Sequence, residues 1–410
     1  MKAVVFTLGC KVNSCESASL MTGLNELGYE TSAELGFADL YVINTCAVTA
    51  EAEKKSRQTI ARVKKFNPNA KIIVTGCASQ KSPQDFLKKE GVTLVTGTNS
   101  KDRIIECLNE CGNIVWEESD YYEKYFPTNP DKTRAYIKVQ DGCNNFCSYC
   151  IIPYLRGRSR SRDPERVLQE IKALSPVEAV ITGINLSAYN FQNIGLKGLI
   201  DRLSEVDCRI RLGSLEVGVI TEEFLLALKN LKNFAPHFHL SLQSGSNAVL
   251  KSMNRKYTRE EYLNRCELIK KHFPDGAITT DVIVGYSTET ESDFYDSIDL
   301  CKKVGFADVH CFPYSKREGT VGARLKELPS SVKDERMDVI LALKKDLKES
   351  FTKANLGKVF EVILEDKEGD FVVGYTENYV KVYLPTSVDG KIVKVKLSSL
   401  YGEGALGEIV

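Results

Sequence analysis

The sequence lacks any long hydrophobic run and any surplus of charge. Its 55 Lys and Arg residues balance 55 Asp and Glu residues over 410 positions, so a nucleic-acid partner would be held by local basic patches rather than by an overall field. No apolar run approaches the roughly 18 residues of a membrane helix. The N-terminal stretch MKAVVFTLGCK lacks the apolar core of a secretory signal and is typical of a first strand. We therefore expect a cytoplasmic protein with no membrane partner.

Histidine is also scarce, whereas cysteine is not. The chain has 4 His, all beyond residue 236, and 13 Cys. In a reducing compartment these cysteines are not expected to form structural disulfides. Because free cysteine is among the most buried residue types, we expect some cysteines to fill cores and others to be ligands.

Two regions show alternating strand and helix patterns. Residues 1–111 predict an N-terminal parallel α/β sheet domain, and the polar, aromatic residues 112–134 predict a linker. Residues 135–330 contain six strand-and-helix units, which predict a partial (β/α)6 barrel with its chemistry at the C-terminal ends of the strands. The predicted strands are 2–8, 39–43, 71–75 and 92–96 in the first region and 135–139, 178–182, 209–214, 237–242, 277–284 and 306–312 in the second.

The C-terminal part has a different pattern. Residues 331–356 are amphipathic and predict a connecting helix. Residues 357–410 alternate in short strands separated by Gly, Asp and Asn turns, which predicts a small antiparallel β-barrel. The expected fold class is therefore α/β for the first two regions, with a small antiparallel β-barrel at the C-terminal end of the chain.

The strongest motif is GCNNFCSYC, which places Cys143, Cys147 and Cys150 in one loop after the first strand of the central region. Iron–sulfur clusters are usually held by four thiolates, so three would leave one iron open. A structural zinc loop is the alternative, but no His or Cys follows at finger spacing to complete it.

This motif resembles the radical S-adenosylmethionine (SAM) superfamily. The resemblance implies a [4Fe-4S] cluster whose open iron chelates SAM, one-electron cleavage of SAM, and release of a 5′-deoxyadenosyl radical that the protein positions. Polar residues that end later strands, together with Tyr149 in the motif, are the predicted cofactor contacts. These are Tyr149, Gly183, Asn185, Ser214, Glu216, Ser241, Gln243 and Arg255.

Three more cysteines share one position in the first region. Cys10, Cys46 and Cys77 each follow a predicted strand, and the C-terminal edge of an open α/β sheet is where ligands bind. Core cysteines would occupy arbitrary strand positions instead. The repetition favours a second site with three thiolates and one open iron.

A longer series of motifs resembles the methylthiotransferases. It comprises TLGCKVN, INTCAVTAEAEKKSRQ, VTGCASQ, the cysteine loop with IIPYLRGRSRSR, ITGIN, HLSLQSGSNAVLKSMNRKYT and PYSKREGT. The resemblance implies an auxiliary [4Fe-4S] cluster on Cys10, Cys46 and Cys77, two SAM molecules per turnover, a flavodoxin- or ferredoxin-like electron donor, a sulfur source and a C-terminal TRAM-like domain. The six cysteines are then the metal-binding and catalytic residues.

Within that family, GCKVN and the KSRQ segment are most similar to the MtaB group. That similarity implies methylthiolation of carbon 2 of N6-threonylcarbamoyladenosine at position 37 of tRNA. The alternatives are isopentenyladenosine in tRNA, a ribosomal-protein aspartate, and a non-enzymatic iron–sulfur RNA-binding protein. Cys15, on the helix after Cys10, is predicted to be structural, as are Cys107, Cys111, Cys208, Cys266, Cys301 and Cys311.

An arginine-rich segment follows the cysteine loop. Alternating Arg and small residues have little apolar surface to bury, and Arg binds phosphate in a fork geometry, although a solvated loop is the simpler alternative. The predicted RNA contacts are Arg156, Arg158, Arg160 and Arg162, extended by Lys316, Arg317, Arg324 and Lys326. Residues 357–410 carry six Lys and Arg against nine Asp and Glu, so there we expect base stacking on Tyr375, Tyr379 or Tyr383.

Overall fold

The first region forms one parallel sheet with strand order β2-β1-β3-β4-β5-β6. The computed structural model describes residues 1–99, 101–116, 124–126 and 133–410. The four predicted strands are confirmed, while β2 and β6, each three residues long, are additions. The strands are β1 (Lys2–Thr7), β2 (Glu30–Ser32), β3 (Leu40–Thr45), β4 (Lys71–Gly76), β5 (Val92–Thr96) and β6 (Gly112–Ile114).

The range predicted as a linker is therefore partly structured. β6 pairs with β5 through Gly112 and Ile114, so the sheet extends into residues 112–134. Residues 117–123 and 127–132 of that range lie outside the described residues.

Helices cover both faces of the first sheet. Neighbouring strand residues alternate between two cores, with Ile72 in one and Ile73 in the other, as a parallel sheet buried on both faces requires. Its helices are α1 (Lys11–Glu26), α2 (Ala50–Phe66), α3 (Cys77–Lys81), α4 (Pro83–Leu87) and a 3₁₀ turn at Lys101–Ile105.

The central region contains all six predicted strands, in two sheets with orders β12-β9-β7-β8 and β13-β14-β15-β16. The third predicted strand is split at Gly213: its first half pairs with β9 and its second half with β14. The strands are β7 (Arg134–Asp141), β8 (Arg160–Ser161), β9 (Glu178–Gly183), β10 (Asn190–Phe191), β11 (Ile194–Gly195), β12 (Arg209–Leu212), β13 (Ser214–Leu215), β14 (His237–Leu240), β15 (Ala277–Val284) and β16 (Asp308–Pro313).

One face of these sheets is apolar and lies under helices. Ile137, Ile181 and Phe238 belong to a core that also includes Leu225 and Tyr262 from the helices. The helices are α5 (Ile152–Arg156), α6 (Pro164–Leu174), α7 (Leu196–Arg202), α8 (Glu222–Asn230), α9 (Asn247–Ser252), α10 (Arg259–His272) and α11 (Glu291–Val304), with 3₁₀ turns at Leu186–Ala188, Leu203–Glu205, Val217–Val219 and Gly322–Arg324.

The chain ends in a connecting helix and a closed five-stranded barrel with ring order β17-β18-β19-β21-β20. The prediction of a fully antiparallel barrel is wrong for one pair, because β19 and β21 are parallel. A ring with an odd number of strands cannot alternate direction all the way round, so one parallel pair is unavoidable. The elements are α12 (Ser330–Ala354), β17 (Val359–Glu368), β18 (Phe371–Thr376), β19 (Lys381–Pro385), β20 (Ile392–Tyr401) and β21 (Gly404–Ile409).

Among the described residues, no helix combines the length and the apolar character needed to cross a bilayer.

Candidate functional site

The cysteine loop, residues 143–150, follows β7 directly. Gly142, between β7 and the loop, has a φ of +69°, and a Cβ there would lie 2.0 Å from the carbonyl oxygen of Arg158. The side chain of Asn254 donates hydrogen bonds to the carbonyl oxygens of Asn145 and Phe146, at 3.2 and 3.0 Å. The loop is therefore held by close packing on one side and by hydrogen bonds from Asn254, which follows α9, on the other.

Nitrogen donors approach two of the loop thiols. Arg255 Nη1 lies 3.3 Å from Cys147 Sγ, and Asn185 Nδ2 lies 3.9 Å from Cys143 Sγ. Burial raises the pKa of Cys150 to about 12, so a metal must displace the thiol protons when it binds. Three cysteines with N–H donors directed at sulfur are a donor set that fits an iron–sulfur cluster.

Among the described residues, no three His, Cys, Asp or Glu side chains are arranged to hold one metal ion.

A polar cleft opens beside Cys147. Its empty volume is about 630 Å³. Glu216 accepts hydrogen bonds from Asn145 at 2.5 Å and Asn185 at 3.4 Å, and it forms an ion pair with Arg255 at 3.2 Å. The structure thus brings Asn185, Glu216 and Arg255 together next to a loop cysteine.

The other predicted cofactor contacts, and Asn185 as well, are not among the residues that line this cleft. Ser241 accepts from Arg255 through its carbonyl oxygen at 3.3 Å, and a Cβ at Gly183 would meet Gln140 at 2.9 Å. Gln243 is buried with a φ of +71°. Ser214 is exposed at the start of β13, and Tyr149 packs against a small core.

Sequence reasoning missed several residues that line the cleft. Tyr257, Glu261 and Arg265 follow one another at intervals of four residues, which places them on one face of α10 or just before it. That spacing, beginning two residues after Arg255, was the signal that would have found them. The remaining lining residues that were missed are Asn145, Val217, Gly218, Asn254 and Lys256.

The scattered triad, Cys10, Cys46 and Cys77, lies at one edge of the first sheet. These residues follow β1, β3 and β4, which are neighbours in the strand order. A Cβ at Gly9 would lie 2.8 Å from Cys46 Sγ, which shows how closely the first two loops approach. Burial raises the pKa of Cys46 to about 11, and the thiols of Cys77 and Cys10 add to that rise.

Asn13 ties two loops of the scattered triad together. Its Nδ2 donates to the carbonyl oxygens of Leu8 at 2.8 Å and Thr45 at 3.1 Å. Leu8 precedes Cys10 by two residues, and Thr45 precedes Cys46 directly. One buried side chain therefore sets the separation of two predicted ligands.

A buried ionic junction connects the two cysteine sites; it comprises Glu16, Lys101, Lys138, Asp141 and Arg156. Arg156 Nη1 lies 2.8 Å from a Glu16 oxygen and 3.0 Å from an Asp141 oxygen. Lys138 pairs with both carboxylates at 2.9 Å, and Lys101 pairs with Glu16. The two carboxylates keep a pKa below their ordinary range because these cations offset the burial that would raise it.

The junction reaches both sites through Arg156. This residue ends α5, six positions after Cys150, and its Nη2 lies 2.6 Å from Asn13 Oδ1. Burial raises the pKa of Cys77, and the charges of Arg156 and Lys101 oppose that rise. One guanidinium thus connects the segment after the cysteine loop with the loops of the scattered triad.

The predicted RNA contacts of Arg156 and Arg162 are wrong. Arg156 is 0% exposed within the junction, and Arg162 is 4% exposed and paired with Glu170. Arg317 is likewise buried against Glu53. The sequence pattern did not reveal these acidic partners. Glu16 and Glu53 lie far away along the chain, and Glu170, eight residues after Arg162, lies on α6 and meets Arg162 through tertiary packing.

The remaining cations of the predicted patch have different surroundings. Arg160 pairs with Asp141 at 3.2 Å, whereas Arg158 is exposed, with its guanidinium 4.8 Å from the Phe146 ring centre. The exposed lysines and arginine of the predicted extension are Lys316, Arg324 and Lys326.

The three tyrosines proposed to stack on bases are already engaged. Tyr383 is buried. Tyr379 stacks on His237 and on Tyr375, with ring centres 4.6 and 4.8 Å apart. Base stacking on Tyr383 is therefore wrong, and Tyr379 packs against the central region instead.

Cys15 is buried, as predicted for a structural thiol, with its Sγ 3.2 Å from the Tyr136 carbonyl oxygen.

Comparisons with known families and structures agree with this architecture. A family profile described as "Radical SAM superfamily" matches residues 137–301, and "Uncharacterized protein family UPF0004" matches residues 2–97. The structure of the radical SAM methyltransferase TsrM from Kitasatospora setae superposes with a TM-score of 0.55 at 14% identity, covering 76% of this chain and 72% of TsrM. The cysteine loop, its cleft and these matches define a radical SAM enzyme.

Relatives that match over the full length identify the family to which this radical SAM enzyme belongs. "Threonylcarbamoyladenosine tRNA methylthiotransferase MtaB" of Bacillus subtilis is 40% identical, covering 100% of this chain and 97% of the relative. "tRNA-2-methylthio-N(6)-dimethylallyladenosine synthase" of Lachnoclostridium phytofermentans is 35% identical, covering 99% and 95%. The chain belongs to the family of radical SAM methylthiotransferases. Membership implies a [4Fe-4S] cluster and SAM.

Proposed function

We propose that this chain is a tRNA methylthiotransferase that acts on carbon 2 of N6-threonylcarbamoyladenosine at position 37. The observation that carries the proposal is full-length similarity. Four relatives named for this substrate, from Bacillus subtilis, Chlamydia pneumoniae, Aquifex aeolicus and Thermotoga maritima, are 36–40% identical over 96–100% of this chain.

Two clusters are part of the proposal. Cys143, Cys147 and Cys150 would hold one, and Cys10, Cys46 and Cys77 the other. When bound, the clusters and SAM supply one-electron chemistry and the sulfur to be transferred. The chain itself would orient the ligands. Asn254 fixes the cysteine loop by hydrogen bonds, and Asn13 sets the distance between two loops of the scattered triad. The ionic junction keeps the two sites in a fixed relative position.

The SAM molecule is assigned to the cleft beside Cys147. Arg255 and Glu216 offer opposite charges there, which suits the carboxylate and ammonium groups of an amino acid. Tyr257 would complete the polar lining, with Asn185 hydrogen-bonded to Glu216 beside it. Gly183, Ser214, Ser241, Gln243 and Tyr149 are proposed as residues that support this cleft.

The architecture is proposed to be three functional domains: residues 1–111 for the auxiliary site, 135–330 as a partial β/α barrel, and 357–410 as a TRAM-like barrel. The tRNA would contact the exposed cations Arg158, Lys316, Arg324 and Lys326, which lie in or near the loops after the central strands. An electron donor and a sulfur source would be required as partners, and we expect an enzyme that modifies tRNA to act in the cytoplasm.

A second candidate substrate is N6-dimethylallyladenosine, because relatives named for it are 33–35% identical. Its substituent is an apolar hydrocarbon and would require an apolar pocket. The face of the central sheets opposite the helices carries Arg211, His239 and Asp281 instead. This polar lining favours a charged substituent.

Nucleoside mass spectrometry of tRNA from a deletion strain tests the proposal. We expect loss of 2-methylthio-N6-threonylcarbamoyladenosine with accumulation of its unmethylthiolated precursor, and restoration by the wild-type gene. Loss of the dimethylallyl product, or an unchanged tRNA profile with an altered ribosomal-protein aspartate, would overturn the substrate. A reduced, reconstituted protein that forms no 5′-deoxyadenosine from SAM would indicate a non-enzymatic RNA-binding protein.

A further inference from the structure

We propose that Lys11 binds the carboxylate of the threonylcarbamoyl group and so distinguishes this substrate from N6-substituted adenosines without a charge. The inference rests on the proposed function and assigns a residue to it. Lys11 is the first residue of α1 and directly follows Cys10 of the scattered triad.

Lys11 projects from the first region over the central sheets. Its ammonium lies 5.9 Å from the centre of the Tyr136 ring, on β7. The side chain keeps more than a third of its surface open to water, so a ligand can reach it.

The central sheets near Tyr136 carry a polar layer across neighbouring strands. Tyr136 is in register with Val180, and Val180 with Arg211, so Arg211 lies two strand spacings, or about 10 Å, from Tyr136. On the other sheet, His239 pairs with Asp281 at 3.1 Å and lies 5.5 Å from the His310 ring. Tyr379, from the C-terminal barrel, covers Arg211 at 4.9 Å.

Cations exceed carboxylates in this layer. Arg134, Arg209 and Arg211 all pair with Glu178, at 2.6, 2.7 and 2.9 Å, and Arg134 also pairs with Glu365. Among the described residues, no carboxylate lies within ion-pair distance of Lys11. The carboxylate of Asp281, in the same polar layer, contacts His239 instead. An anionic ligand that reaches Lys11 would therefore meet an ammonium without a carboxylate partner among the described residues.

The position of Lys11 also suits the reacting atoms. Carbon 2 and the carbon that bears the substituted amine flank the same ring nitrogen of adenine. A base that presents carbon 2 to the sulfur held by the scattered triad thus places its N6 substituent nearby. Lys11, adjacent to Cys10, is placed to meet the end of that substituent.

The test compares two anticodon stem-loop RNAs, one with N6-threonylcarbamoyladenosine and one in which its carboxylate is a carboxamide. The reconstituted enzyme should prefer the carboxylate by about 10- to 100-fold in kcat/KM, the expected range for one charge-assisted hydrogen bond. Lys11→Met should reduce this ratio to about one, and Lys11→Arg should restore part of it. Lys229→Met, at an exposed position on α8, is the matched control and should retain the wild-type ratio.

A fluorescence-anisotropy binding assay with the same RNAs gives a readout independent of turnover. The ratio of kcat/KM values compares two RNAs on one enzyme preparation, so incomplete loading of the clusters affects both values equally and cancels. If Lys11→Met weakens both RNAs equally, the lysine binds backbone phosphate or supports Cys10, and the inference is overturned. An unchanged ratio overturns it as well. If the wild-type enzyme instead methylthiolates only dimethylallyladenosine RNA, the proposed function itself fails.

Discussion

The two cysteine sites are built in opposite ways. The cysteine loop gathers Cys143, Cys147 and Cys150 within eight residues, and its shape depends on local backbone, with Gly142 at one end and Asn254 as a clamp. The scattered triad gathers Cys10, Cys46 and Cys77 over 68 residues, because three neighbouring parallel strands end at one edge. A compact loop depends on few contacts, whereas the second site depends on a whole sheet.

That difference makes the scattered triad more sensitive to distant changes. Its loops are joined by Asn13, and Asn13 is held by Arg156 from the central region. The auxiliary site is therefore completed only when both regions are folded and docked. Removal of ligands should affect each site separately, while removal of the junction should affect the scattered triad first.

The largest effect is expected from ligand substitutions. Reconstituted wild-type protein should hold about eight irons, four per cluster, and Cys147→Ala and Cys46→Ala should each hold about four. Cys147→Ala should lose 5′-deoxyadenosine formation, whereas Cys46→Ala should keep it and lose only the methylthiolated product. Iron and sulfide analysis with product chromatography measures both. Wild-type protein that never exceeds four irons would refute the two-site comparison.

The second effect concerns the ionic junction. Arg156→Met leaves Glu16 and Asp141 buried with one cation fewer, which costs about 3–5 kcal/mol in the free energy of unfolding. Arg158→Met, two residues away and exposed, should change it by about 0.5 kcal/mol or less. Urea unfolding monitored by circular dichroism compares the two.

The iron content of the junction variant sharpens the comparison further. The Arg156→Met variant should lose iron from the scattered triad more readily than from the cysteine loop. It should therefore still form 5′-deoxyadenosine when it no longer methylthiolates the RNA. Equal iron content in the Arg156 and Arg158 variants would show that the junction does not couple the two sites.

A smaller effect is expected from a matched pair of glycines. Gly142→Ala places a methyl group against the backbone of Arg158, and Gly9→Ala places one against Cys46 Sγ; both positions have φ above +60°, where strain costs about 1–3 kcal/mol. Gly142→Ala should impair SAM cleavage, and Gly9→Ala only the auxiliary site. Site-resolved Mössbauer spectra would show this, and a reversed pattern would contradict it.

The smallest effect is expected at Cys15. Its thiol lies on the helix after Cys10 and contacts the Tyr136 carbonyl oxygen. Cys15→Ala should leave the iron content unchanged and cost about 1 kcal/mol in stability. A loss of iron comparable to that of Cys46→Ala would make Cys15 a ligand.

The strands were predictable wherever the chain is strongly patterned. Runs such as Leu40–Thr45 and Ala277–Val284 are long and β-branched, so their period or burial is visible locally. β2 and β6 were missed because three residues show no period. The number of strands in a closed five-stranded barrel requires one parallel pair, but the sequence has no local signal that this pair is β19–β21.

The residues of the candidate site also differ in how well the sequence could predict them. The cysteine loop and Arg255 were found from short motifs, and the lining residues on α10 could have been found from their spacing. Arg156 and Arg162 were misjudged as surface cations, since alternation with small residues says nothing about a buried carboxylate such as Glu16, which lies 140 residues away.

The sequence by itself determined the two sets of cysteines, the order of strands and helices, and the family, because these depend on residue type and short-range spacing. Tertiary structure alone decided which arginines are buried, how Asn13 and Arg156 join the two sites, and which charges surround Lys11. The physical reason is that a buried charge is tolerated only beside its partner, and that partner is chosen by packing between elements far apart along the chain.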